Sequence, residues 1–311
     1  MRAVYCDGTS IRLRDDLPEP HAGPGEVRLR VHAVGICDTD LQLARGYMGF
    51  RGILGHEFVG RTESGQRVTA EINNACHACP VCQAGRPGHC PNRTVLGILK
   101  HDGAMADWVC VPERNLHTVP ENLSDAEAVC IEPLAAAFRI TEQVAIGPDT
   151  RMAIVGDGKL GLLCGWVARL AGAQVTVVGK HSDKLALAGE GIASILLDDV
   201  RSLSRRFDIV VDCTGSATGL PTALELVRPC GTVVLKTTIA GAQSMNLAPI
   251  VIDEVHVIGS RCGPFPTAIA ALSSRQIDVR PLIGAELPLA DAEAAFEAAA
   301  RRGARKVVMV V

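Results

Sequence analysis

The chain has 311 residues, 48% hydrophobic and 21% charged, with a net charge of −3 at pH 7. That length is expected to form two domains with real cores, and the mixed, slightly acidic balance excludes the basic footprint of a nucleic-acid binder. No apolar run opens "MRAVYCDGTSIRLRDD", so no signal peptide is expected, and Asp157, Lys159 and Arg169 interrupt the most apolar region, residues 152–178, which excludes a membrane span.

The first third reads as β-rich. In "EVRLRVHAVG", Val27, Leu29, Val31 and Ala33 share one face, the period-2 pattern of a half-buried strand. Short strands such as "GQRVTAEI" and "ADWVCVP", divided by Gly/Pro turns, continue to about Pro120. From Ser124 the texture turns helical: "SDAEAVCIEPLAAAFRITEQV" places Ser124 as N-cap and Glu127 three residues on, a capping box. Apolar strands then alternate with helices: "MAIVG", the helix "KLGLLCGWVARLAG", "QVTVVG", the helix "DKLALAGEG", "ASILL", "FDIVVDCTG", a helix to Leu226, and "GTVVLKT". That rhythm predicts βαβ units around a parallel sheet covered on both faces. After "VHVIGSRCG", an Ala-rich helix, "DAEAAFEAAARRG", and a strand, "KVVMVV", form a tail too small to fold alone, expected to return to the first domain. Twelve cysteines in a chain of this length without an export signal point to free thiols and metal ligands, and hence to the cytoplasm.

Gly156-Asp157-Gly158-Lys159-Leu160-Gly161 is a G-x-G-x-x-G that follows an apolar strand, opens a helix and precedes a second strand. In that context the glycines let a dinucleotide pyrophosphate approach the helix N-terminus. An acid for the ribose 2′-hydroxyl is expected at the end of the second strand, but Gly179 stands there, followed by Lys180 and His181. A missing carboxylate and an added cation predict a preference for NADP(H), with NAD(H) as the second candidate.

Cys76, Cys79, Cys82 and Cys90 stand at C-x2-C-x2-C-x7-C in a Gly/Pro-rich loop. Four thiolates suit a tetrahedral zinc ion and leave no coordination position open for chemistry. A ferredoxin-type cluster opens with the same spacing but fits the x7 gap poorly, and His77 and His89 are then bystanders. Upstream, "GICDTD" holds Cys37 and Asp40, and "GHEFVG" holds His56 and Glu57; downstream, "AVCIEPLAAAF" holds Glu132. A cysteine, a histidine and a carboxylate with a vacant fourth position would make a catalytic zinc site.

The ordered set "GICDTD", "GHE", the four-cysteine loop, "EPLA", "GDGKLG" and "DCTGS" resembles the zinc-dependent medium-chain dehydrogenase/reductase superfamily over almost the whole chain. The resemblance implies an α/β architecture. A GroES-like catalytic domain would span residues 1–133 and 263–311, with a structural zinc lobe at about 73–93. A doubly wound Rossmann domain would span 134–262, with the active site in the cleft between them. It implies two Zn²⁺ per chain: a catalytic ion on Cys37, His56 and Glu57 or Glu132, with Asp40 orienting His56, and a structural ion on the four cysteines. Thr39 would hydrogen-bond the substrate hydroxyl, and Gly156, Gly158, Lys159, Leu160, Gly161, Gly179, Lys180, His181 and Thr214 would bind the cofactor. The implied activity is hydride transfer between an alcohol or polyol, or the matching carbonyl, and a nicotinamide. The partners would be a small-molecule substrate and a second copy in a homodimer or homotetramer, without nucleic acid or membrane.

The chain departs from the family's pattern at Gln42, where many members have a histidine that ends the proton relay, and at Asp38. Tyr47, Met48, Phe50 and Trp108 are candidates either for lining a substrate site or for plain packing. Two other functions are weighed: a zinc-free quinone or enone reductase on the same fold, and a non-catalytic protein that senses nucleotides or binds through its zinc lobe.

Overall fold

The computed structural model describes residues 1–239 and 244–311. By its internal contacts the chain divides into one unit of Met1–Glu132 with Ala268–Val311 and a second of Pro133–Thr267. The second break lies within the helix Phe265–Ser273, later in the chain than the sequence reading has it.

The first unit is built on the strand Glu26–Gly35, whose Leu29, Val31 and Ala33 are buried as the alternation predicts. Three strands pair antiparallel with it: Glu57–Thr62, Trp108–Pro112 and the tail strand Lys306–Val310. The sheet continues through Arg67–Ala70 to Leu116–Thr118 on one side and ends at Ile283–Pro288 on the other. A three-stranded sheet of Ala3–Cys6, Ile11–Arg14 and Gly52–Ile53 lies beside it in the unit.

The expected capping box forms: the Glu127 N–H donates to Ser124 Oγ at 3.2 Å, and the Ser124 N–H donates to Glu127 Oε2 at 2.9 Å. The helix it opens is shorter than the sequence suggests. Asp125–Ala128 stops, the Cys130 N–H bonds back three residues to the Glu127 carbonyl, and a new helix runs over Ile131–Gln143. That tightened turn divides what reads as one helical stretch.

Two charges lie inside the first sheet. Gly35 faces both Glu57 and Val308 across the ladders, so Glu57 and Lys306 meet from strands on either side of it. The Lys306 ammonium pairs with Glu57 Oε2 and donates to the Ile36 carbonyl. Both residues are almost inaccessible, at 1% and 2%. Burial opposes the lysine's charge, but Glu57 foremost outweighs it and raises the Lys306 pKa.

The second unit is a six-stranded parallel sheet. Its strands, in chain order, are Arg151–Val155, Gln174–Gly179, Ile192–Leu196, Phe207–Asp212, Val227–Leu235 and His256–Gly259, and they lie across the sheet as 3-2-1-4-5-6. This is the doubly wound order, in which the carboxyl ends of strands 1 and 4 open a crevice at the reversal point. Val155, Val178, Val210 and Val233 sit in its core with Leu226 of the helix Gly219–Leu226. The helix Lys159–Leu170 buries Leu162, Leu163, Cys164, Val167 and Ala168. The predicted helix "DKLALAGEG" is only one α-turn, Ser182–Leu185, followed by a 3-10 turn, because Gly189 and Gly191 take positive φ. Among the described residues no helix is long and apolar enough to cross a membrane.

Lys306→Met should leave the Glu57 carboxylate buried without its partner and destabilise the fold by about 3–5 kcal/mol. Urea unfolding checks this. Adding Glu57→Gln to the same chain should recover part of the loss, since the uncompensated charge is then gone.

Candidate active site

Cys37 and His56 come from different loops, and one carboxylate holds both loops. Asp40, wholly buried, accepts from the Cys37 N–H at 2.8 Å through Oδ2 and from the Gly55 N–H at 3.3 Å through Oδ1. Its Oδ1 also lies 3.3 Å from His56 Nδ1. Glu57 follows His56 and enters the sheet at once, anchored by Lys306. The donor atoms of Cys37, His56 and Glu57 consequently lie within 4.8 Å of one another.

The electrostatics of this group suit a cation. Burial, then the Glu57 charge, push the Cys37 thiol up, so it stays protonated unless a positive charge joins it. Burial also opposes a charged His56, but the Asp40 carboxylate and then Cys37 raise its pKa well above the ordinary value. A thiol, an imidazole and a carboxylate form the mixed donor set that suits zinc with an open position, and a metal ion deprotonates such a thiol outright. The donor set therefore fits zinc.

The two candidate carboxylates differ in their placement. Glu132 occupies the first turn of the helix Ile131–Gln143 and is buried, but its carboxylate is not within the 4.8 Å set. The Gly35–Glu57 register sets Glu57 beside the Cys37 loop. Sequence reading also missed Lys306, whose only signal is a lone lysine at the head of an apolar strand. Of the candidate lining residues, Phe50 is buried, and the Trp108 ring is covered by the Arg28 guanidinium 4.6 Å from its centroid. Those two serve packing. Thr39 is partly exposed, and Gln42 exposed, on the helix Asp38–Leu43.

The four-cysteine loop closes at its neck with a two-stranded ribbon, Asn73–Asn74 against Thr94–Val95. Buried Asn115 ties that neck, donating to the carbonyls of Glu71 and Asn73, each at 3.1 Å. The Sγ atoms lie 3.5 Å apart for Cys79–Cys82 and for Cys76–Cys90, and 3.8 Å for Cys79–Cys90. Those separations are too long for disulfides and match the edge of a tetrahedron, roughly 3.8 Å, built on zinc–sulfur bonds of about 2.3 Å. The N–H groups of Ala78 and Cys79 pull the Cys76 thiol down to about 6, whereas burial and the adjoining thiols push Cys82 up to about 12. The four sulfurs, all from free cysteines, therefore fit a zinc ion.

At the dinucleotide turn, Gly156 has φ +122°, and a Cβ on Gly161 would fall 1.9 Å from the Gly156 carbonyl oxygen. Only glycine permits that approach. The helix Lys159–Leu170 starts from Gly158, which brings no side-chain cap, so its first N–H groups suit a phosphate. Thr214 sits at the carboxyl end of strand 4, next to the end of strand 1. There Asp212 Oδ1 accepts from the Thr214 N–H at 2.9 Å and from the hydroxyls of Thr214 and Thr237 at 2.8 Å.

The end of strand 2 is not free of carboxylates, because Asp157 of the glycine turn reaches across to it. Its Oδ2 accepts from the N–H groups of Lys180 and His181, each at 2.7 Å, and meets His181 Nδ1 at 2.9 Å. Gly179, Lys180 and His181 thus gather around an acid that spacing alone does not place there.

Comparison with known proteins agrees with this geometry. Residues 23–121 match the family described as alcohol dehydrogenase GroES-like domain, and residues 160–274 match zinc-binding dehydrogenase. A sorbitol dehydrogenase of Arabidopsis thaliana is 29% identical, and an L-idonate 5-dehydrogenase of Vitis vinifera 28%; in each case the alignment covers 91% of this chain and 87% of the relative. A protein of Sinorhizobium meliloti 1021, assigned as a zinc-binding dehydrogenase and solved bound to NADP, superposes with a TM-score of 0.90 at 29% identity, covering 100% of this chain and 99% of that one. With matched domains in both units and relatives aligned over nine-tenths of its length, this chain belongs to the zinc-dependent medium-chain dehydrogenase/reductase superfamily.

Proposed function

We propose that this enzyme interconverts a hydroxyl of a polyol or sugar-like alcohol and the matching carbonyl, with a catalytic zinc on Cys37, His56 and Glu57 and a nicotinamide as hydride partner. The observation that carries the reading is the convergence of those three donors, drawn from two loops by one buried carboxylate. A zinc-free reductase has no use for such a set, and a protein that only binds has no need of an open metal position. The polyol class is supported by the carboxylate in the donor set and by relatives named for sorbitol and L-idonate.

Bound there, zinc supplies Lewis acidity: it lowers the pKa of a hydroxyl and polarises a carbonyl. The protein's own groups do the rest. Asp40 holds His56 and the Cys37 backbone in place, which sets the orientation of two ligands at once. Lys306 anchors the Glu57 carboxylate and directs it. Thr39, one residue beyond the Cys37–Asp38 step, accepts the proton of the substrate hydroxyl in a hydrogen bond. Gln42 cannot act as a base, so the proton leaves to water from the partly exposed threonine. Glycines 156, 158 and 161, with Lys159 and Leu160, seat the cofactor pyrophosphate, and Thr214 lines the crevice at the end of strand 4.

A second zinc is assigned to Cys76, Cys79, Cys82 and Cys90, with a purely structural role. Self-association is assigned to the face carrying Leu247, Val251 and Ile252, the last two 74% and 77% exposed, near the edge strand His256–Gly259. A second copy covering that strand would satisfy its open ladder. The free thiols suit a reducing compartment such as the cytoplasm.

Two substitutions separate the metals. Cys37→Ser should abolish polyol oxidation, lower the zinc content from about two ions per chain to about one, and leave cofactor affinity within about twofold. Cys79→Ser should also lose an ion, but through its lobe, lowering the midpoint of thermal unfolding. Metal analysis, melting curves and turnover on a panel of polyols read all of these; full activity in Cys37→Ser would end the catalytic assignment. Light scattering should report a dimer or larger, and Ile252→Asp should shift it toward monomer.

A further inference from the structure

We propose that Asp157, from within the glycine turn, serves as the ribose-recognising acid that strand 2 lacks, so that this enzyme selects NAD(H) over NADP(H). The inference rests on the nicotinamide-cofactor reading above. In dinucleotide folds of this kind, a carboxylate at the end of strand 2 accepts from the ribose 2′-hydroxyl and excludes a 2′-phosphate. Here that position is Gly179. A Cβ built on Gly179 would come within 2.5 Å of both Cβ and Oδ2 of Asp157. The space in which an acid's side chain would begin is therefore filled by another acid's carboxylate, which enters from the neighbouring turn.

The carboxylate is held firmly. Asp157 is 7% exposed, and Oδ2 alone takes the three contacts with Lys180 and His181. Oδ1 accepts from none of the described residues and is left to a ligand. Burial opposes the charge, but the His181 and Lys180 N–H groups and the His181 ring outweigh it and lower the Asp157 pKa, so the group is ionised. An ionised carboxylate accepts hydrogen bonds from two neutral ribose hydroxyls and repels a dianionic 2′-phosphate. The cations nearby do not reverse that sign. The His181 ring is already paired with Asp157, and Lys180 contributes its backbone N–H while its side chain is exposed. The acid stands at the end of strand 2, although it originates in the glycine turn.

Equilibrium binding of NADH and NADPH to the zinc-loaded enzyme, followed by nucleotide fluorescence, tests this without reference to turnover. NADH should bind at least about tenfold more tightly, the scale of one hydrogen bond to a charged group. Asp157→Asn should move the ratio of the two dissociation constants at least about tenfold toward NADPH. The paired exchange Asp157→Gly with Gly179→Asp should restore the NADH preference, because the vacated space admits a side chain at position 179. Should Asp157→Asn fail to fold, ADP-ribose and its 2′-phosphate measured on the unaltered enzyme give the same ratio. Equal or tighter NADPH binding overturns the proposal, as does an unchanged ratio in Asp157→Asn, which would leave Asp157 a cap of the 180–181 turn. Failure of both nucleotides to bind would instead remove the cofactor reading itself.

Discussion

Charges buried without water must be answered by other charges or by hydrogen-bond donors, and this requirement shapes the interior of the first unit. Asp40, His56, Glu57 and Lys306 are each at most 3% exposed. None could remain there alone, since an unpaired ion loses several kcal/mol of hydration. Asp40 is answered by two backbone N–H groups and an imidazole, and Glu57 by Lys306. One arrangement satisfies all four, and it also holds Cys37, His56 and Glu57 together. The grouping of those three donor atoms thus follows from the way the charges are paired.

The second unit solves the same problem with backbone N–H groups and hydroxyls, joined at Asp157 by the His181 ring. Asp157 and Asp212, both buried, are held by N–H groups and hydroxyls of turns at the carboxyl ends of the parallel strands. Each acid stiffens a loop that the doubly wound order brings to the cofactor crevice. The glycines matter for the same reason. At 161 and 179 a side chain would collide with backbone or with the acid, so their smallness is what lets the turn and the carboxylate coexist. The cysteine loop uses a third solution, four sulfurs spaced to surround an ion where a hydrophobic core is too small to order about 20 residues.

The two candidate metal-ligand groups differ in how they read from sequence because of the distance along the chain between their members. The four cysteines lie within 15 residues, and their spacing alone points to a tetrahedral knot. Cys37 and His56 are separated by a helix and several turns, and neither residue is informative alone. Their pairing came through a resemblance of ordered motifs. The choice between Glu57 and Glu132 was beyond that resemblance, since both stand where family members carry a ligand. Strand register is what sets Glu57 opposite Gly35 and so near Cys37.

By itself the sequence determined what depends on local pattern. Strand alternation in 26–35, the capping box at Ser124, the βαβ rhythm after 151 and the tight glycine turn all follow from side-chain periodicity and backbone sterics acting over a few residues. Only the tertiary structure decided which charges meet. Lys306 is 249 positions from Glu57, and Asp157 lies 23 from Lys180, yet each pair is in contact. Such pairings are set by how strands stack and turns abut, which no local pattern encodes. An acid was therefore missed at Gly179, because the carboxylate that stands there belongs to another turn.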